Sequence, residues 1–297
     1  MTNQTKADLG MLVVTLFWGS SYLFMKLGLT DMHPMTLIAW RFGVAFCVAG
    51  TVFYKRMVAM DKSTLGRGIL LGIILFGVFV AITYGVRDTS APHAGFLVSL
   101  AVVFVPILAA IVTRRRIPRN VTLAIGVSTL GVGLLTLNNH WRMNLGDGLC
   151  MAGALLYAVH IVVTDAAATR GDPLVLGTVQ LGVAGVLGLG FSLFSGPVQI
   201  PDTPNAWGAV LALSLLCSAF GFIVQTVTQK HTPPTHTGLI FSLEPVFTVI
   251  FAYLFVGETL SPRGMVGASL VLLSVLIAEF GPATLASRPS ARNRTLS

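Results

Sequence analysis

Charge is what this 297-residue chain has least of: charged residues make up 10% of it, against 54% hydrophobic. A soluble globular domain carries roughly 25% charged residues, so a water-exposed shell cannot be built from this sequence and lipid must cover most of the surface. The mean hydropathy of +0.82 leads the same way. Cysteine is also scarce. Cys47, Cys150 and Cys217 each fall inside an apolar run, with no CxxC and no Cys/His cluster. That excludes a disulfide framework and a thiolate metal site, and leaves three small packing residues. No GxxxxGK[ST] motif occurs, and no connection is long enough to hold a nucleotide-binding domain. Paired Asp, HExxH and a Ser/His set are equally missing, so neither an enzyme nor a cofactor is expected. The formal charge of +8 does not imply nucleic acid, because the basic residues sit in short connections between apolar runs, where they orient a membrane protein.

A spanning helix needs about 20 mostly apolar residues, since each rises about 1.5 Å across a hydrocarbon core of about 30 Å. Ten stretches qualify: 7–29, 35–54, 67–86, 91–113, 120–137, 147–167, 173–195, 206–227, 234–256 and 264–281. The first is too long for the h-region of a signal peptide, roughly 7–15 residues. Pro34, Pro92, Pro118, Pro173, Pro234 and Pro262 lie in or beside the connections, where a missing N–H is easiest to satisfy. With the N-terminus inside, the cytoplasmic side collects 14 Lys and Arg residues, including Lys55, Arg56, Arg114, Arg115, Arg116, Arg119 and Arg170. The outer side has 4, Lys26, Arg87, Arg142 and Arg263, and Arg41 lies within a span. The positive-inside bias therefore puts both termini in the cytoplasm. The expected fold is an all-α membrane protein of ten transmembrane helices in a plasma membrane of the bacterial inner type. Residues 285–297 read as a disordered cytoplasmic tail that touches the anionic leaflet at most.

The chain also resembles itself. At an offset of 143, the run from His93 to Thr113 matches the run from His236 to Val256 at 8 of 21 positions. The identities include His93/His236, Gly95/Gly238, Ser99/Ser242 and Phe104/Phe247. A weaker match at offset 139 sets Asp8 on Asp147, Leu16 on Leu155 and Trp18 on Tyr157. Two units follow, 1–140 and 141–284, of five helices each. Five is odd, so the second unit enters the membrane from the opposite face. An inverted-topology repeat of this kind is common in secondary transporters, whose small-molecule site lies near the midplane between the halves.

LFWGSSYLFMKLGL (16–29), followed by Pro34, Leu37 and Arg41, resembles the opening of the EamA-type drug/metabolite transporters. SLEPVFTVIFAYLFVGETLSPRGMVGASLVLLSVLI (242–277) resembles that family's most recognisable stretch, and GDGLCMAGALLYAVHIVV (146–163) its mid-chain repeat start. The resemblance implies a 5+5 inverted-repeat permease, usually an exporter of amino acids, other metabolites or drugs, with both termini cytoplasmic. It does not identify the cargo. One departure matters: the first-half counterpart of Glu244-Pro245 is Ala101-Val102, so any role for this acid belongs to the second half alone.

The residues expected to line a substrate path are polar or aromatic groups inside spans. Of 11 acidic residues, only Glu244 falls near the middle of one, where an ionised group costs at least about 2.5–3.5 kcal/mol on insertion scales. It reads as a proton-coupling or substrate-amine site, or as a carboxylate bonded to nearby backbone. Arg41 could bind a carboxylate or phosphate bidentately, clamp helix-end carbonyls or snorkel outward, as Lys26 is expected to do. His160 falls opposite Ser21 in the repeat, and both are candidates for the pathway. Trp18, Tyr22, Tyr84 and Tyr157 offer rings for packing or for stacking on a substrate. Gln225 lies in helix 8 with Gln229 one turn on, and Ser242 precedes Glu244 by two residues. Gly68 and Gly72 form a GxxxG, and glycines crowd residues 182–190. These suit close helix contacts within the chain or, equally, a homodimer face.

Overall fold

In the computed structural model the described residues are 3–112, 119–136, 144–231, 237, 240–241 and 243–280. Among them there is helix and no strand. We label the helices α1 (Asn3–Gly28), α2 (Pro34–Val52), α3 (Tyr54–Val58), α4 (Lys62–Asp88), α5 (Ala91–Ser99), α6 (Ala101–Val112), α7 (Arg119–Thr136), α8 (Leu145–Ala168), α9 (Pro173–Ser195), α10 (Pro204–Leu211), α11 (Gly221–Gln229), α12 (Glu244–Val256) and α13 (Pro262–Phe280). A π-helical segment, Ala212–Phe220, joins α10 to α11.

The connections carry the helix starts. Asp61 caps α4 through Ser63 and Thr64 N–H, Asn144 caps α8 through Asp147 N–H, and Asp172 caps α9 through Leu174 N–H. Proline opens α2, α9 and α10, where its missing N–H would have been unpaired in any case. Among the described residues seven helical stretches are long and apolar enough to cross a membrane: Lys6–Gly28, Pro34–Val52, Lys62–Asp88, Ala91–Val112, Leu145–Ala168, Pro173–Ser195 and Pro204–Gln229. Thr122–Leu134 and Glu244–Val256 are shorter apolar helices. Large apolar side chains face outward along them: Phe194 is 91% exposed and Phe255 70%. In water such a surface would aggregate, whereas lipid tails solvate it.

Helix contacts pair α2 with α9, α7 with α13, α1 with α11 and α12, and α8 with α4 and α6. In addition α4 packs on α9, and α2 on the π-helical segment. The GxxxG of α4 is used inside the chain. A Cβ on Gly68 would meet Val179 at 2.7 Å, and one on Gly72 would meet Val183 at 2.5 Å and Gln180 O at 2.9 Å.

Two breaks shape the interior. Between α5 and α6, Leu100 N–H donates to Leu97 O while Leu100 O accepts from Val103 and Phe104. The same bonds recur 143 residues later, from Leu243 N–H to Ile240 O and from Val246 and Phe247 N–H to Leu243 O. Glu244 therefore opens a helix rather than sitting mid-helix, and its carboxylate lies at the positive end of the α12 dipole.

Candidate functional site

The breaks and the π-helical segment converge on a buried chamber. Its walls are Trp18, Ser21, Tyr22 and Met25 from α1, Arg41 from α2, and Val78, Phe79 and Ile82 from α4, with Val98, Tyr157, Phe222 and Glu244 closing it. About 360 Å³ of atom-free space lies among these side chains. Trp18 organises the floor: its ring lies 4.9 Å from Phe241, 5.1 Å from Phe222 and 5.9 Å from Tyr157. Its Nε1–H donates to Cys217 O at 2.7 Å. That carbonyl belongs to the π-helical segment, whose wider winding turns backbone acceptors away from the regular ladder.

The same segment holds Arg41. Arg41 Nε donates to Ser218 Oγ at 2.7 Å, and the guanidinium carbon sits 4.2 Å from the Phe79 ring centroid. A desolvated cation–π contact is worth about 2 kcal/mol, which offsets part of the burial cost. Arg41 is only 2% exposed, so it does not snorkel. Its NH1 group has no hydrogen-bond partner, which costs roughly 1–3 kcal/mol when nothing binds there. Glu244 is 7% exposed and lines the chamber together with Tyr22. The ion pairs among the described residues are Lys26–Glu258, Arg56–Asp172 and Arg87–Asp88. Arg41 and Glu244 are not among these pairs. The chamber thus presents a cation and a carboxyl group to one aromatic cavity without joining them.

Six of the sequence candidates, Trp18, Ser21, Tyr22, Arg41, Tyr157 and Glu244, meet in this chamber. His160 and Gln225 stand just beyond it: the His160 ring stacks 6.0 Å from that of Tyr157, and Gln225 is fully buried beside Tyr157. Tyr84 lies apart, at the end of α4, with its ring edge against His33 at 5.9 Å and Arg87 over its face at 5.6 Å. Ser242 and His236 fall outside the described residues. Lys26, expected to snorkel, instead forms an ion pair with Glu258 at 2.9 Å. Sequence reasoning missed Phe79, Phe222 and Ser218. The spacing of Val78, Phe79 and Ile82 marks one face of α4, but nothing local tells a chamber face from a packing face. Among the described residues no group of three His, Cys, Asp or Glu side chains gathers as a metal site.

The sequence profile of the EamA-like transporter family matches residues 5–137 and 144–280. The chain belongs to the EamA-like transporter family. An uncharacterized transporter of Archaeoglobus fulgidus is 30% identical over 277 residues, covering 91% of this chain and 85% of that protein. The uncharacterized transporter YyaM of Bacillus subtilis is 27% identical over 282 residues, covering 91% and 92%. One solved protein structure superposes with a TM-score of 0.72 at 16% identity, covering 96% of this chain and 99% of its own, a likeness of fold. This EamA-like protein is accordingly a multi-pass membrane transporter and not an enzyme.

Proposed function

We propose that the chain is a secondary active transporter of the drug/metabolite type that exports a small metabolite, an amino acid or a related compound, by alternating access. One observation carries the reading: Arg41, with an unpaired N–H, and Glu244 face one aromatic-lined chamber without pairing. A zwitterion fits that arrangement. Its carboxylate takes the free guanidinium edge in a charge-assisted bond, its amine takes Glu244, and its apolar part lies against Trp18, Phe79 and Phe222. Glu244 exchanges a proton as the halves rock, which couples export to the proton gradient across a plasma membrane.

Ten spans in two inverted five-helix units, 1–140 and 141–284, with cytoplasmic termini, make up the proposed architecture. The helix contacts support it. Exchanging α1 with α8, α2 with α9, α4 with the π segment and α11, the α5–α6 pair with α12, and α7 with α13 turns each principal contact into another of the set. The repeated break at Leu100 and Leu243 supports it too. A thermal-shift panel of amino acids, polyamines, nucleosides and cationic drugs on purified protein, followed by liposome flux of any stabilising solute, tests the function. Amino acids are expected to stabilise the wild type and not Arg41→Gln. A panel in which no solute stabilises the protein and none is moved against a gradient would remove the carrier reading. Flux by Glu244→Gln with an unchanged pH dependence would remove the coupling alone.

A further inference from the structure

Beyond the chamber, α8, α9 and α11 meet along a seam that carries more polarity than its packing satisfies. Gln180 Nε2 donates to Thr226 Oγ1 at 3.2 Å, and that hydroxyl donates to Phe222 O at 2.6 Å. Gln180 Oε1 therefore faces His160 and accepts from its Nε2, 2.8 Å away. This leaves His160 Nδ1 with no partner. On the same face of α8, at helical spacing, Tyr157 Oη and Thr164 Oγ1 are unpaired as well. Across from them on α11, Gln225 has neither amide atom satisfied and Gln229 Oε1 is free, although Gln229 Nε2 reaches Ile161 O at 3.4 Å. None of these five side chains is more than 6% exposed.

Buried polar groups in proteins are almost always hydrogen-bonded, and here six unpaired atoms lie on two facing helix surfaces. The seam starts at the chamber wall with Tyr157 and runs about 10 Å along α8 to Thr164, at 1.5 Å per residue. It ends beside the turns that bear Arg170 and Lys230. Isolated polar residues packed for helix adhesion would pair with one another, as Gln180 does with His160. A row of buried polar groups that face each other without pairing calls for a small bridging partner, and water is the smallest that can bond to several of them at once. Phe222 lies against the His160 ring and Ile161 beside Gln229, and among the described residues no ion pair involves the row.

We propose that this seam opens to water and forms a hydrated lane joining the chamber to the basic end of the molecule. Water is its ligand, held by Tyr157, His160, Thr164, Gln225 and Gln229, and it puts the chamber carboxyl in contact with the aqueous phase at that end. The inference rests on the chamber and the seam, not on the direction or coupling proposed above.

X-ray hydroxyl-radical footprinting of the purified wild-type chain tests it with water as the probe. Radicals form where water resides, so a hydrated seam is labelled despite its burial. Corrected for intrinsic reactivity, Tyr157 and His160 are expected to be modified at rates near that of Tyr54, which is 65% exposed in the connection between α2 and α4. The buried apolar Phe42 and Leu75 should stay protected. If Tyr157 and His160 are as protected as Phe42 and Leu75, the lane does not exist. The double variant Gln225→Leu, Gln229→Leu gives a second test: labelling of His160 should be lost while the melting temperature holds or rises, because unpaired polar atoms have been replaced by apolar ones. A lower melting temperature with labelling unchanged would show the glutamines to be structural and overturn the proposal. A labelled seam in a chain that moves no solute would leave the lane standing and remove the carrier.

Discussion

Arg41 shows at the scale of one residue how a membrane interior holds a cation without a counter-ion. Ser218 takes one N–H, the Phe79 ring takes the face, and one edge stays free. A buried ion without a counter-ion carries a desolvation cost of several kcal/mol, which an apolar side chain of similar volume does not. Arg41→Met should therefore keep or raise the melting temperature while abolishing flux of the transported solute; a large drop in melting temperature would mean that Arg41 is structural. Trp18 makes the opposite case. Trp18→Phe keeps most of the ring contacts but removes the Nε1–H that satisfies Cys217 O. That should cost about 1–3 kcal/mol, measured as the loss of unfolding free energy in mixed micelles. An acid and an arginine standing alone in apolar runs are legible in the sequence because hydrophobic context makes them expensive. Their partners are not: Ser218 lies 177 residues from Arg41, and Cys217 lies 199 from Trp18.

Close crossings govern the elements. A Cβ on Gly19 would sit 2.5 Å from Phe247 Cβ and 3.1 Å from Glu244 O, so α1 and α12 touch where the carboxyl-bearing helix begins. Gly19→Val should cost at least about 1–3 kcal/mol through overpacking and shift Glu244 in the chamber lining. Loss of solute-induced thermal stabilisation would report that displacement, and a variant that still binds normally would argue against this coupling. At the other end of α1, Lys26 pairs with Glu258, whose second oxygen accepts from Ala91 N–H at 3.2 Å. The pair is partly solvated, with side chains 31% and 26% exposed, so its stabilisation is at most about 1 kcal/mol. Its use is positional, because it ties α1 to the start of α5 and to the turn after α12. Glu258→Gln should leave the melting temperature nearly unchanged yet speed maleimide labelling of a cysteine placed at Leu23. Helix positions follow from apolar run lengths and capping residues, both local signals. The break before Glu244 and the π-helical winding at 212–220 do not, since they depend on which neighbours supply the missing backbone partners.

The molecule as a whole responds to acid through its connections. Thr64, by side chain and backbone, holds the Asp61 carboxyl below its ordinary range. At Asp172 partial burial opposes ionisation, but Arg56 and the Leu174 and Val175 N–H groups outweigh it, and that carboxyl too sits low. A folded-state value below the unfolded one gives stability that is complete above about pH 4, the ordinary carboxylate value, and is lost as pH falls through the folded values. The contribution of these two connections to the melting temperature should be flat from about pH 7 to about pH 5 and fall in more acidic buffer. The fall should be smaller in Asp172→Asn, which retains a capping oxygen. The amino-acid sequence alone determined that the chain lives in lipid and where most of its long helices run, because hydrophobicity and capping are written locally. Which face of each helix turns inward was decided only by tertiary structure. That choice puts Arg41 and Glu244 in one chamber, sends Tyr84 to the rim and leaves the α8–α11 seam unpaired, through contacts between residues as much as 232 positions apart that no local pattern encodes.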